Sequence, residues 1–167
     1  MNAIRLRTEY LENPLGIDIP HPRLMWNCDG GKRQTAYQIV TENWDSGKTF
    51  SSSMHADYPR PLADRERVGW KVRLWDENDE PGEWSEAFFE TGISEWKAKW
   101  ITGDYCPRKK KRYPVDCFRK EFRVRGKITK ARLYATARGV YDVTVNGTRL
   151  EGFILAPGVT DYRKRIQ

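Results

Sequence analysis

Asp76, Glu77, Asp79 and Glu80 form the densest acidic cluster in this 167-residue chain. Two carboxylates facing each other across a substrate can serve as general acid and general base. These four fall in and beside ENDEPGEW (77–84), a polar Pro-Gly turn, where solvated charge is the expected state. Asp45-Ser46-Gly47 offers a serine nucleophile, which would need a histidine base and an oxyanion hole. His21 lies among prolines and His55 in a serine-rich turn. A β-turn in which Asp45 bonds its own backbone fits better. No catalytic residue is assigned.

Other chemistry is weaker. Cys28, Cys106 and Cys117 are odd in number and widely spaced, without a CxxC or Cys/His pair, so zinc is not expected and reduced thiols are. A Cys106–Cys117 bridge would need an oxidising setting. No loop resembles an EF-hand, and no metal or cofactor is expected. CPRKKKRYP (106–114) sets five consecutive cations beside Tyr105 and Tyr113. Such a run could touch phosphates, but a solvated loop is the preferred reading and no nucleic-acid partner is expected. Asn146-Gly147-Thr148 matches a glycosylation sequon, yet reads better as a hairpin turn. Arg138, Tyr141 and Asp161 are candidate sugar contacts, because sugars stack on aromatics and bond to planar polar groups.

The elements that must position these residues read as strands. Val68, Trp70, Val72 and Leu74 alternate with Gly69, Lys71, Arg73 and Trp75, the clearest half-buried strand in the chain. Ile4, Leu6 and Thr8 share one face of another. PRLMWN (22–27), QTAYQIVTE (34–42) and EAFFETG (86–92) add more. Short strands with frequent turns predict a sandwich of immunoglobulin or fibronectin type III kind. Trp26, Trp70 and Trp75 are expected to pack, and Trp44 and Trp84, beside turns, to be more exposed. At the joint, Trp96 and Trp100 suit either one helical turn or a new strand.

Beyond the joint, CFRKEFRV (117–124), KARLYATARG (130–139) and the two halves of GVYDVTVNGTRLEG (139–152) read as strands, with TDYRKRIQ (160–167) as one more. These are too few to cover both faces of a sheet, so the second unit is expected to be incomplete. Charge divides at the same place. Residues 1–94 hold 11 Lys/Arg against 16 Asp/Glu, net −5, and residues 95–167 hold 19 against 7, net +12. Opposite signs favour contact between two units. Seven Trp, 8 Tyr and 6 Phe are enough to build a core. No apolar run approaches the roughly 20 residues of a membrane span, and the charged N-terminus is unlike a signal peptide, so a cytoplasmic location is expected.

Nine segments in order carry a resemblance. They are ENPLGIDIPHPRLMW (12–26), RQTAYQIV (33–40), NWDSGK (43–48), RVGWKVRLWDEN (67–78), EWSEAFFETG (83–92), WKAKWI (96–101), FRKEFRV (118–124), ARLYATARGVYDVTVNG (131–147) and LAPGVTDYRKRIQ (155–167). The chain resembles the N-terminal part of bacterial α-L-rhamnosidases, glycoside hydrolase family 78. The resemblance implies an all-β chain: a fibronectin type III-like sandwich at 1–93, then the start of a galactose-binding-like jelly roll at 94–167. It further implies an inverting parent whose catalytic carboxylates sit in a later (α/α)₆ barrel. No residue here aligns with that barrel, and the stretch between YQIVTE and NWDSGK is shorter than is usual in the family. The expected partners are the remaining domains of the parent and rhamnose-containing glycans, with self-association through an open sheet edge as a further outcome. A free-standing carbohydrate-binding or protein-interaction module is the competing reading, which saturable rhamnose binding by the chain would favour.

Overall fold

The computed structural model describes residues 1–106, 108, 112–150 and 156–164. All regular elements among them are strands. No helix among the described residues is long and apolar enough to cross a membrane. The chain divides into two compact units, Met1–Asp104 and Tyr105–Gln167.

The first unit is an immunoglobulin-like β-sandwich. One sheet has the order β1-β3-β6, built from Asn2–Thr8, Arg23–Asp29 and His55–Asp57. The other has the order β2-β8-β7-β4-β5, built from Leu15–Ile17, Ser85–Thr91, Arg67–Trp75, Ala36–Thr41 and Thr49–Phe50. β2 joins β8 in parallel, and the remaining pairs in both sheets are antiparallel. One hydrophobic cluster lies between the sheets. Ala3, Leu24 and Trp26 come from the first sheet; Ile39, Val68, Trp70, Val72, Leu74 and Phe89 come from the second.

β7 organises this core. Its apolar residues recur every second position, so Val68, Trp70, Val72 and Leu74 all point inward and are buried. Burying each such side chain stabilises the fold by about 1.5–3 kcal/mol. β4 and β8 hydrogen-bond to its two sides, which leaves Gly69, Lys71 and Arg73 on the outward face.

β1 departs from simple alternation. The register with β3 shifts between Ile4 and Arg7, and Arg5 has φ 50°. This bulge reverses the phase of the strand. Ala3 is therefore the inward residue at 2% exposure and Ile4 turns out at 38%, correcting the shared face expected for Ile4, Leu6 and Thr8. The outer edge of β1 is tied down: Ser85 Oγ donates to the Ala3 carbonyl at 2.6 Å, and the Glu83 N–H donates to Asn2 Oδ1 at 3.0 Å.

The joint forms neither the helical turn nor the strand expected of it, and Trp96 and Trp100 are exposed at 47% and 57%. In the second unit, β9 (Thr144–Val145) pairs with β10 (Thr148–Arg149) around Asn146-Gly147. Both turn residues have positive φ, 51° and 83°, as a tight hairpin turn requires. The stretches 117–124 and 130–139 are not strands, contrary to their alternation. A strand needs a neighbour to take up its backbone groups. Here Phe118, Phe122, Val124 and Leu133 are all exposed. Of the expected strand at 160–167, residues 162–164 form a turn, and 165–167 lie outside the described residues.

Candidate functional site

The carboxylates of the acidic turn after β7 are engaged by nearby backbone N–H groups and by one lysine. Asp76 Oδ1 accepts the N–H groups of Asn78 at 2.8 Å and Glu80 at 3.1 Å. Glu77 Oε2 accepts the N–H groups of Lys32 at 2.9 Å and Arg33 at 3.3 Å, and Asp79 pairs with Lys48. These backbone donors hold the Asp76 and Glu77 carboxyls below their ordinary range. A general acid needs the opposite shift. Asp45 behaves likewise: the Gln38 amide and then the Gly47 N–H lower its pKa, and the Gly47 bond at 2.8 Å closes the expected turn. Ser46 Oγ accepts the Ile39 N–H at 2.9 Å and donates to the Gly47 carbonyl at 2.8 Å, a structural role. Neither histidine stands with it: His21 Nδ1 is 3.1 Å from the Tyr58 carbonyl, and His55 Nδ1 is 3.3 Å from Ser53 Oγ. Among the described residues no group of three or more His, Cys, Asp or Glu could hold a metal ion.

The outward face of the five-stranded sheet carries the richest arrangement. The Arg67 guanidinium lies 3.7 Å from the centre of the Phe88 ring. Lys71 Nζ stands over Trp84 at 4.9 Å, and Arg73 lies against both Trp84 at 4.7 Å and Trp75 at 4.8 Å. Lys48 Nζ also lies over Trp75 at 4.8 Å. Each cation over a ring is worth about 0.5–1 kcal/mol at exposed sites. Arg73 Nη2 also donates to Gln38 Oε1 at 2.9 Å, and Gln38 Nε2 donates to Asp45 Oδ1 at 2.9 Å. Beside this array an open groove of about 340 Å³ crosses β4, β7 and β8. Its lining includes Val40, Thr41, Glu42, Gly69, Lys71 and Glu86.

Comparison with known proteins decides the family. Residues 3–95 match the family described as the Rha78A-like N-terminal immunoglobulin domain. The chain belongs to this α-L-rhamnosidase family. Residues 126–167 match a second family, the α-L-rhamnosidase N-terminal domain. An α-L-rhamnosidase of Formosa agariphila is 35% identical across 96% of this chain, which spans only 20% of that relative's length. The Streptomyces avermitilis α-L-rhamnosidase, solved in complex with L-rhamnose, is 38% identical with a TM-score of 0.55 over 60% of this chain and 12% of that one. The Aspergillus terreus α-L-rhamnosidase is 18% identical with a TM-score of 0.59 over 98% of this chain and 21% of that one, a likeness of fold.

In this rhamnosidase N-terminal region, the three candidate sugar contacts fall in the second unit. Tyr141 is half-buried; its hydroxyl donates to the Ala135 carbonyl at 3.0 Å and its N–H to the Ala156 carbonyl at 2.9 Å. Asp161 is exposed and paired with Arg163 at 3.0 Å, and the Arg163 donors lower its pKa. Arg138 is exposed. Tyr141 thus joins the stretches around Ala135 and Ala156, and Asp161 bonds within its own turn. Of the basic loop, Arg108 and Arg112 are described, and Lys109, Lys110 and Lys111 lie outside the described residues. The Arg108 N–H donates to the Tyr113 hydroxyl at 3.0 Å, and the Tyr113 ring stacks on Tyr105 at 4.5 Å. Sequence reasoning missed the outward face of β7. Its signal was present, since Gly69, Lys71 and Arg73 are the polar half of the alternation that marks the core.

Proposed function

We propose that this chain is the non-catalytic N-terminal accessory region of an α-L-rhamnosidase, an inverting glycoside hydrolase that releases terminal L-rhamnose. One observation carries the reading: a relative matched over nearly the whole of this chain is matched over only a fifth of its own length. The carboxylates of the chain support it. Inversion needs a protonated acid and an ionised base about 6.5–9.5 Å apart across the sugar. Asp76, Glu77 and Asp79 are instead held as acceptors in one turn. Residues 1–93 serve as the sandwich and 94–167 as the opening part of a galactose-binding-like jelly roll. Exposed Phe118, Phe122, Leu133 and Val159 supply apolar surface for the parent's further strands and domains.

The test is hydrolysis of an aryl α-L-rhamnoside by this chain and by its parent. The parent releases the aryl group and gives the inverted anomer of rhamnose first, followed by NMR. The chain alone releases nothing. Turnover by the chain alone, or a parent without rhamnosidase activity, would overturn the reading.

A further inference from the structure

We infer that the groove over Gly69, on the outward face of the five-stranded sheet, is a binding site for a neutral saccharide unit. The choice of a saccharide as occupant rests on the accessory reading; the groove itself does not. Gly69 is the third residue of a nine-residue strand. Its φ is not in the left-handed region, and a Cβ there would meet nothing within 4 Å. Neither backbone geometry nor close packing therefore requires glycine. Glycine weakens a strand interior, and it recurs where a ligand approaches the backbone.

The lining has the chemistry of a polyol site. Val40, Lys71 and Glu86 form one row across three strands, because Lys71 pairs with Val40 on β4 and with Glu86 on β8. The next position of β7 along the outward face is Gly69, whose missing side chain opens the floor beside Glu42. Glu42 and Glu86 accept hydroxyl protons, and the Lys71 ammonium donates to hydroxyl oxygens. Two carboxylates disfavour an anionic ligand. Trp84 lies outside this lining, with Lys71 and Arg73 against its ring. At about 340 Å³ the groove falls within the usual range of small-molecule sites.

The decisive variant is Gly69→Val, which fills the floor with a strand-forming residue. Wild-type chain is titrated with L-rhamnose, D-galactose and D-glucose, with D-glucuronate as the charged comparator, and backbone amide shifts are followed by NMR. Saturable shifts at Gly69, Lys71 and Glu86 are expected with at least one neutral sugar. In G69V the melting temperature is unchanged or raised, and affinity falls at least tenfold. No saturation with any neutral sugar up to tens of millimolar, equal affinity in G69V, or tighter binding of D-glucuronate would each overturn the inference. Hydrolysis of the soluble aryl rhamnoside by a parent carrying G69V is a separate readout, so failure of the groove and failure of the accessory reading are distinguishable.

Discussion

Glu9 shows how one side chain can clamp two strands. Its carboxylate accepts three donors from Arg23: the backbone N–H at 2.7 Å, Nε at 3.2 Å and Nη2 at 2.7 Å. Arg23 also lies over the Tyr10 ring at 4.9 Å. The Arg23 hydrogen bonds lower the Glu9 pKa despite the opposing effect of burial. A carboxyl whose pKa is lower folded than unfolded contributes stability above the unfolded value of about 4.3, and loses it as pH falls through the folded value. Glu9→Gln should therefore destabilise the sandwich by about 1 kcal/mol at neutral pH, a modest figure because the Arg23 side chain is 41% exposed. The difference from wild type should shrink steadily below pH 4, as thermal unfolding across pH will show. A gap that persisted unchanged to pH 2 would mean that the pair is not what Glu9 contributes.

Close approach governs the element scale. The turn between β7 and β8 passes so near the start of β1 that a Cβ on Gly82 would lie 1.8 Å from the Met1 carbonyl oxygen. Side chains of Asn2 and Ser85 bond across the same gap. Backbone cannot yield as a flexible side chain does, so Gly82→Ala must displace the start of β1. Urea unfolding should show a loss of roughly 1–3 kcal/mol. The G69V variant gives the contrast: the same sheet, a glycine with open space above it, and no loss expected. Equal tolerance at both positions would show that β1 does not approach the turn this closely. The hairpin β9–β10 is the opposite kind of element. It is determined by its own turn, and among the described residues it pairs two residues on each side.

At the scale of the whole molecule, burial is unevenly shared. Every buried hydrophobic residue in the core cluster belongs to the first unit, and the large apolar residues described in the second include Val115, Phe118 and Phe122, all exposed. Amide exchange reports this directly, because protection follows buried hydrogen-bonded structure. Slow exchange is expected along β3, β4, β7 and β8, and fast exchange through residues 117–137. Comparable protection in both units would contradict the distribution of burial.

Alternation and turn chemistry are local, so β7 and the Asn146-Gly147 hairpin were legible from the residues alone. So was the sandwich class, from the recurrence of short strands and turns, and so was the family, from ordered segments along the chain. Alternation misled at Ile4, where a bulge reverses the phase of β1, and at 117–124 and 130–139, where no neighbouring strand among the described residues completes the pattern. The sugar contacts sought at Arg138, Tyr141 and Asp161 came from residue type alone, which says nothing of convergence. The groove over Gly69 and the cations stacked on Trp75 and Trp84 depend on which strands lie side by side. Strand order is decided by long-range pairing and by burial of one shared core, so only the tertiary structure could bring Glu42, Lys71 and Glu86 to one place.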